Sequence, residues 1–276
     1  MSVQYLMQAI RRPKRAIKAL YFRLLGVGYV KRRITNGPIK GLWFISGKRV
    51  FYSKWFWSGT YEKNTCYFIQ NILPEDAICY NIGANIGYHS LIMAKKAYRG
   101  LVYAFEPIPE VCDILSSNAK SNDINNIIVV PKVVSNENGT LTLLRNMDID
   151  QAALINQTFP AKNNNKINFL RDTIHCTAIT IDDFVALGNQ PPSFLKIDVE
   201  GAEVYVLTGA KKTLKKYKPM ILCETHGYDK ATEVYEILSG LGYEMFCVKE
   251  NVMPIDRIHV PKDMHDGHIF ACLKKG

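Results

Sequence analysis

Four short stretches of the sequence carry most of the residues that could do chemistry. They are NIGANIGYHS (81–90), FEPIPE (105–110), KIDVEGAE (196–203) and CETHG (223–227), and each adjoins an apolar run. In an open parallel sheet, ligands bind at the carboxyl ends of the strands. If the apolar runs are strands of one sheet, these polar stretches line a common cleft.

The first stretch has the glycines of a ligand-binding turn. Gly83 is expected to let the chain turn sharply from strand to helix, and Gly87 to let a ligand or a neighbouring strand approach the backbone. Glu106 follows Gly83 by 23 residues, which is near the spacing at which an acid meets ribose hydroxyls in nucleotide-binding folds. Asn81, Asn85 and nearby backbone N–H groups are then expected to hold the amino-acid end of an adenosyl ligand.

The glycine spacing separates two kinds of adenosine-containing ligand. The dinucleotide fingerprint G-x-G-x-x-G needs a second glycine where the backbone meets the pyrophosphate. Here Ala84 and Asn85 occupy that region, between Gly83 and Gly87. S-adenosylmethionine therefore fits the sequence better than a dinucleotide.

The third and fourth stretches supply candidates for catalysis of methyl transfer. Transfer needs the acceptor oxygen, the methyl carbon and the sulfur held in line, and a base that takes the proton of the hydroxyl. Asp198, Glu224 and His226 are the candidate catalytic residues: Asp198 ends a buried strand, and free histidine titrates near neutrality. These three side chains could also hold Mg²⁺, Mn²⁺ or Fe²⁺, but a reaction without a metal is favoured.

Two other acid- or histidine-bearing positions are interpreted as structural. Glu203 opens a helix, where an acid favours the positive end of the helix dipole. The HDGH stretch at 265–268 is interpreted as a turn into the last strand rather than a metal site.

From residue 76 onward, short apolar runs alternate with helical patterns, which indicates βαβ units and a mostly parallel sheet. Strands are predicted at about 77–82, 101–106, 127–131, 193–198, 219–224, 242–248 and 267–273, and helices at about 65–73, 86–97, 109–121, 201–215 and 229–240. The third strand is expected to lead to Ser135. Residues 145–175 are predicted to be a long polar insertion, of the kind that is functional or mobile.

The basic charge is confined to the front of the chain. Residues 1–61 hold 13 of the 35 Lys and Arg and no Asp or Glu, while the rest is slightly acidic. Within 10–33, apolar residues recur at helical spacing among basic ones, which is typical of a basic amphipathic helix beginning near Pro13. Such a helix can contact an anionic membrane, hold a partner or cover the domain with its charges outward. No apolar stretch reaches the roughly 20 residues that span a bilayer.

The remaining features bound the organisation of the chain. A short hairpin is predicted from Leu42–Ile45 and Val50–Tyr52, and the aromatic residues 55–57 are expected to anchor the front to the core. This gives an N-terminal extension at 1–58 and a catalytic domain at 59–276. The seven cysteines are scattered singly and are expected to be reduced core residues. We expect a cytoplasmic location, with peripheral contact to the inner membrane face through residues 10–33.

The stretches YNIGANIGYHS, VYAFEPIPE, LKIDVEGAEVYVLTGA and PMILCETHG resemble, in order and spacing, the motifs of the FkbM family of S-adenosylmethionine-dependent methyltransferases. The resemblance covers about residues 59–248. It implies a Rossmann-like class I core, S-adenosylmethionine as cosubstrate and O-methylation of a saccharide or other natural product. The candidate cosubstrate-binding residues are Asn81, Gly83, Ala84, Asn85, Gly87, Tyr88, Glu106, Pro107, Ser135 and Asp198.

One residue departs from the family pattern. Asn81 stands where the family generally has Asp, so a negative charge near the ammonium and sulfonium of the cosubstrate is missing. Two alternatives therefore accompany the prediction of a saccharide O-methyltransferase. One is a non-catalytic, membrane-peripheral scaffold that retains the fold. The other is a nucleic-acid methyltransferase, which the basic front suggests and the acidic catalytic half disfavours. Oligomeric state is not predicted.

Overall fold

In a computed structural model, the structure describes residues 30–46, 54–146, 151–154, 171–226, 228–248 and 267–273. The strands are β1 (Val30–Arg33), β2 (Trp43–Ser46), β3 (Ile78–Ile82), β4 (Leu101–Phe105), β5 (Ile127–Val130), β6 (Val133–Val134), β7 (Gly139–Asn146), β8 (Gln151–Leu154), β9 (Arg171–Ile179), β10 (Phe194–Ile197), β11 (Met220–Thr225), β12 (Tyr243–Cys247) and β13 (Gly267–Leu273). The helices are α1 (Lys54–Ser58), α2 (Lys63–Ile72), α3 (Tyr88–Lys96), α4 (Pro109–Lys120), α5 (Ile181–Ala186), α6 (Glu203–Thr208), α7 (Lys211–Tyr217) and α8 (Tyr228–Gly240).

The central element is a seven-stranded sheet in the order β12-β13-β11-β10-β3-β4-β5. Strand β13 pairs antiparallel with both of its neighbours, and the other pairs in this sheet are parallel. All seven strands predicted from the apolar runs are members of this sheet. The predicted α/β, mostly parallel, Rossmann-like architecture is therefore confirmed.

Two apolar clusters lie on the two faces of this sheet, as expected for strands whose successive side chains point to opposite sides. Tyr80 and Ile82 of β3 belong to one cluster, with residues of α6, α7 and α8. Cys79 of the same strand belongs to the other, with residues of α2, α3 and α4. Helices thus cover both faces of the sheet, and the polar motif residues lie at the carboxyl ends of its strands.

A second, four-stranded sheet in the order β6-β9-β7-β8 was not predicted. Its longest ladder pairs β7 antiparallel with β9, so both ends of the predicted 145–175 insertion are strands. Residues 147–150 and 155–170 lie outside the described part. Ser135 follows β6 of this sheet and donates its backbone N–H to Ile179, so the expectation that it ends the third strand of the main sheet was wrong.

The predicted long helix at 201–215 is divided into α6 and α7. Gly209, between them, has no room for a side chain, because an added Cβ would lie 2.1 Å from the carbonyl oxygen of Ser135. This close backbone contact fixes the second sheet against the helix pair that follows β10.

The front of the described chain packs on the core. Phe44 of β2 and Phe56 of α1 are fully buried, with ring centroids 5.6 Å and 4.8 Å from that of Tyr88. Phe56 is thus the anchor that was expected among residues 55–57, whereas Trp55 is exposed. Strand β2 pairs with β1, while the predicted hairpin partner at 50–52 lies outside the described residues.

The membrane-related segment is described only at its end. Of residues 10–33, the last four form β1, and the predicted amphipathic helix lies outside the described residues. Among the helices that the structure describes, none is long and apolar enough to cross a bilayer.

Candidate active site

The turn after β3 brings the first and third motifs into contact. Gly83 has φ +82°, and a Cβ added there would lie 1.8 Å from the carbonyl oxygen of Asp198. The backbone N–H of Asp198 in turn donates to the carbonyl of Ile82. The predicted sharp turn at Gly83 is confirmed, and its glycine is required because the β10 end passes so closely.

Glu106 joins two turns at the carboxyl ends of β3 and β4. Its Oε2 accepts the backbone N–H of Asn85 at 3.0 Å, and its Oε1 accepts that of Ile108 at 3.0 Å. Asn85 itself has φ +48°, a left-handed conformation. A carboxylate offers about four acceptor positions, and an acid at this turn is the kind of group that accepts from ribose hydroxyls.

Asn81 is fully buried at the end of β3. Its Nδ2 donates to Ser90 Oγ at 2.8 Å, while its Oδ1 is buried with no hydrogen-bond partner among the described residues. An acceptor of this kind is costly unless something donates to it. This buried acceptor therefore fits a ligand that carries an ammonium group, even though Asn81 lacks the charge of the family's usual Asp.

The structure shows other partners for some predicted cosubstrate contacts. A Cβ on Gly87 would lie 2.9 Å from Cγ of Leu115, so this glycine makes room for a side chain of α4. Tyr88 is buried among aromatic rings of the front segment. Pro107 accepts a weak hydrogen bond from Cys176 Sγ. The cosubstrate roles of these residues and of Ser135 remain predictions.

Asp198 is paired with an ammonium group in the sheet interior. Its Oδ2 lies 2.8 Å from Nζ of Lys196, whose side chain is 1% exposed. Burial opposes both charges, but their mutual attraction prevails, so the pKa of Lys196 is raised and that of Asp198 is lowered. Asp198 is therefore ionised and held in one orientation, which suits the predicted position beside the transfer centre.

His226 is held by the carboxylate of Glu203, a residue interpreted from the sequence as structural, at the start of a helix. Glu203 Oε1 lies 2.8 Å from His226 Nδ1 and also accepts the backbone N–H of Gly201 at 2.9 Å. The side chain of Glu203 has no exposure to solvent. The interpretation of Glu203 as a helix-dipole residue is thus incomplete, because it orients the histidine at the end of β11.

The same contact changes the proton balance of His226. The hydrogen bond that His226 donates to Glu203 outweighs burial and raises the pKa of His226 to about 9. At neutral pH the ring carries both protons, so it donates hydrogen bonds instead of accepting a proton. Nearby Glu200, whose carboxylate lies 3.6 Å from His226 Nε2, has a pKa raised by burial.

Four residues form a second group beside these side chains, named here the Glu62 cluster: Glu62, His89, Glu224 and His268. Glu62 Oε2 lies 3.2 Å from His89 Nε2 and 3.5 Å from His268 Nε2, and His268 Nε2 lies 3.4 Å from Glu224 Oε2. Sequence reasoning selected only Glu224 as catalytic. Two features of the sequence could have pointed to the other members of this cluster. They are the HDGH stretch at 265–268, which contains His268, and the GTYE run at 59–62, which ends in Glu62.

The sequence comparisons assign the family. The family profile described as the methyltransferase FkbM domain matches residues 81–245. The chain belongs to the FkbM methyltransferase family. The resemblance predicted from the motifs is confirmed, and with it methyl transfer as the class of activity.

Individual relatives of this FkbM chain are distant. The hexuronic acid methyltransferase AglP of Haloferax volcanii is 27% identical over 179 residues, which are 64% of this chain and 68% of that protein. Methyltransferase 1 of Beauveria bassiana is 27% identical over 157 residues, 52% of this chain and 62% of that protein.

Two solved structures align with this FkbM chain. The methyltransferase FkbM of Methylobacillus flagellatus aligns with TM-score 0.48 at 18% identity, over 75% of this chain and 47% of that one. PH0793 of Pyrococcus horikoshii aligns with TM-score 0.50 at 11% identity, over 97% of this chain and 86% of that one. Glu62 and His268 lie outside the segment that the FkbM profile matches.

Proposed function

We propose that this FkbM methyltransferase transfers the methyl group of S-adenosylmethionine to a hydroxyl oxygen of a saccharide, free or lipid-linked. The observation that carries the proposal is the contact between Gly83 and the Asp198 carbonyl. This contact places the Gly83 turn, which suits an adenosyl ligand, beside Asp198, whose carboxylate suits the acceptor hydroxyl. The methyl donor and the methyl acceptor would therefore meet at one place.

The turn residues would hold the cosubstrate. Glu106 would accept the ribose hydroxyls, and the unsatisfied Oδ1 of Asn81 would accept from the ammonium group. S-adenosylmethionine supplies a methyl group made electrophilic by its positive sulfur. The chain therefore needs mainly to orient the reactants, which can supply much of the rate acceleration.

The residues at the ends of β10 and β11 would handle the acceptor. Asp198, fixed by Lys196, or Glu224 would take the proton of the hydroxyl. His226, fixed by Glu203, would donate a hydrogen bond to a second oxygen of the acceptor. A saccharide presents such neighbouring oxygens, and the hexuronic acid methyltransferase among the relatives supports this class of acceptor.

Glu106→Gln tests the cosubstrate half of the proposal. The change replaces a carboxylate that holds two backbone amides, and loss of a charge-assisted hydrogen bond costs about 1.5–3 kcal/mol, or about tenfold or more in affinity. Calorimetry with S-adenosylmethionine should show that loss. Glu75→Gln, at an exposed carboxylate paired with Arg99, is the control and should bind normally. Absence of binding by the unaltered protein would favour the scaffold alternative.

Incubation with labelled methyl donor tests the acceptor half. The panel contains neutral saccharides, hexuronates, lipid-linked saccharides and RNA, and mass shift reads the product. Label in a saccharide hydroxyl is expected. Label confined to RNA would refute the saccharide proposal in favour of the nucleic-acid alternative.

Peripheral membrane contact through residues 10–33 also remains a proposal, drawn from charge pattern alone. Replacing the basic residues at 11, 12, 14, 15 and 18 by Gln should abolish binding to anionic liposomes. Unchanged liposome binding would refute it.

A further inference from the structure

The Glu62 cluster has the arrangement of a binding site rather than of a closed ion-pair network. Glu62 Oε2, His89 Nε2 and His268 Nε2 are all buried, and none of the three has a hydrogen-bond partner among the described residues. His89 is 7% exposed, and its Nε2 points toward Glu62 Oε2 at 3.2 Å. Buried polar atoms of this kind are costly unless they gain a partner, which a bound ligand could supply.

The separations of these atoms match those of ligands on one metal ion. With bonds of about 2.1 Å, ligand atoms lie about 3.4 Å apart on a tetrahedral ion and about 3.0 Å apart on an octahedral one. In the structure, Oε2 of Glu62 lies 3.5 Å from Nε2 of His268, and that nitrogen lies 3.4 Å from Oε2 of Glu224. The ligand atoms of these three residues all lie within 4.8 Å of one another.

The fold prearranges two of the three ligands. Glu224 and His268 are direct partners in the antiparallel ladder of β11 and β13, where opposite side chains lie close together. Glu62 reaches them from the residue just before α2, with the left-handed φ of +41°. His89, in α3, sits behind Glu62 and would fix the orientation of its carboxylate.

A second group, Asp198, Glu224 and His226, also brings three ligand atoms within 4.8 Å. There, however, Asp198 already accepts the hydrogen bond of Lys196, and Nδ1 of His226 is bonded to Glu203. The group around Glu62 and His268 has the unsatisfied atoms. Glu62 and Glu224 contribute two carboxylates to this group, which are ligands that divalent cations prefer.

We propose that Glu62, Glu224 and His268 bind a divalent cation, with His89 positioning Glu62. Two carboxylates and one imidazole suit Mn²⁺. Three protein ligands leave coordination positions for oxygen atoms from outside the chain. The expectation of a reaction without a metal would then be wrong.

The ion would have a role in acceptor binding that rests on the proposed function. It would lie beside Glu224, at the end of the cleft where the saccharide is proposed to bind, and saccharide hydroxyls are oxygen ligands. A hexuronate acceptor carries its own carboxylate, which the neighbouring carboxylates of Glu62 and Glu224 would repel. A bound divalent ion would turn that repulsion into attraction.

Mn²⁺ binding to the full chain, without methyl donor or acceptor, is the test. After treatment with a chelator, the protein is titrated with Mn²⁺ while free Mn²⁺ is followed by electron paramagnetic resonance. One ion per chain is expected. Glu62→Gln and His268→Gln should each weaken binding by about tenfold or more, since even outer partners of a metal site contribute about 10- to 100-fold. Circular dichroism checks that each variant is folded.

The control variants locate the ion. Glu75→Gln should keep Mn²⁺ affinity within about twofold of the unaltered protein. His226→Gln, whose ring lies 3.9 Å from Glu224, should lose less affinity than His268→Gln. Loss in His226→Gln with retention in His268→Gln would overturn the proposal, because the ion would then belong to the other group. Absence of stoichiometric Mn²⁺ binding by the unaltered protein would overturn it as well. The assay uses no methyl transfer, so this outcome leaves the proposed function intact.

Discussion

Replacing Gly83 by Ala should test whether the turn after β3 depends on its contact with β10. The new Cβ would lie 1.8 Å from the Asp198 carbonyl oxygen, whereas ordinary contact begins near 3.4 Å. The two strand ends would therefore have to separate by about 1.6 Å, the difference of these distances. The oxygen is a backbone atom, so no side-chain rotation can relieve the clash.

The magnitude has two parts. A left-handed φ costs a residue with a Cβ about 1–2 kcal/mol, and overpacking of a well-packed interior costs about 1–3 kcal/mol more. We therefore expect Gly83→Ala to lower the free energy of unfolding by about 2–5 kcal/mol, which is a large share of the roughly 5–15 kcal/mol of a typical domain.

Gly188 provides the matched control. It has φ +94°, and a Cβ added there would meet nothing within 4 Å. Gly188→Ala should thus show only the backbone cost of about 1–2 kcal/mol. Urea unfolding of both variants gives the difference. Equal losses, within about 0.5 kcal/mol, would refute the reasoning that β10 closes against the turn.

Three further outcomes are expected. Lys196→Met and Asp198→Asn each leave one member of a buried ion pair without its partner, so each should lower the free energy of unfolding by about 3–5 kcal/mol. The double variant should lose clearly less than the sum of the two. Additive losses in urea unfolding would contradict the pairing. Asn118→Ala removes three hydrogen bonds to the backbone of Ile45 and Ile86 and should cost about 2–4 kcal/mol. The control is Asn125→Ala, at an exposed side chain that donates to the carbonyl of Asp123, and it should cost under about 1 kcal/mol. A similar loss in both variants would show that Asn118 does not anchor β2. Burial raises the pKa of Cys79 to about 12 and that of Cys223 well above its usual range. Neither thiol should therefore react with a thiol reagent in the native protein. Labelling of either thiol faster than global unfolding would contradict their burial.

The main sheet could be predicted because its strands are short continuous apolar runs bounded by turn residues. Strand β10, with Phe194, Leu195 and Ile197 fully buried, shows the pattern of a central parallel strand. The turn at Gly83 was predictable for a similar reason, since its geometry depends on local backbone requirements.

The second sheet was missed because its strands do not show that pattern. Strand β9 combines Thr173, His175 and Thr177 with apolar residues and follows an Asn-rich segment, so composition favoured a loop. What stabilises it is the long ladder with β7, whose partner residues are about 30 positions away in the sequence. Pairing over such distances leaves little trace in a single sequence.

The chemistry of the site was predicted only in part for the same reason. Asp198, Glu224 and His226 were selected because each lies at the carboxyl end of a predicted strand. The pairing of Glu203 with His226, and of Glu62 with His89 and His268, arises only when separate elements meet. A glutamate at a helix start looks the same in sequence whether it faces solvent or a histidine.

The position of β13 has a consequence for how the molecule matures. Strands β11 and β12 do not touch directly, since β13 lies between them. During translation, residues 267–273 leave the ribosome after every other described strand. Until then both neighbours expose unpaired backbone, which invites association with other chains. The nascent protein is therefore most in need of chaperone protection just before it acquires His268.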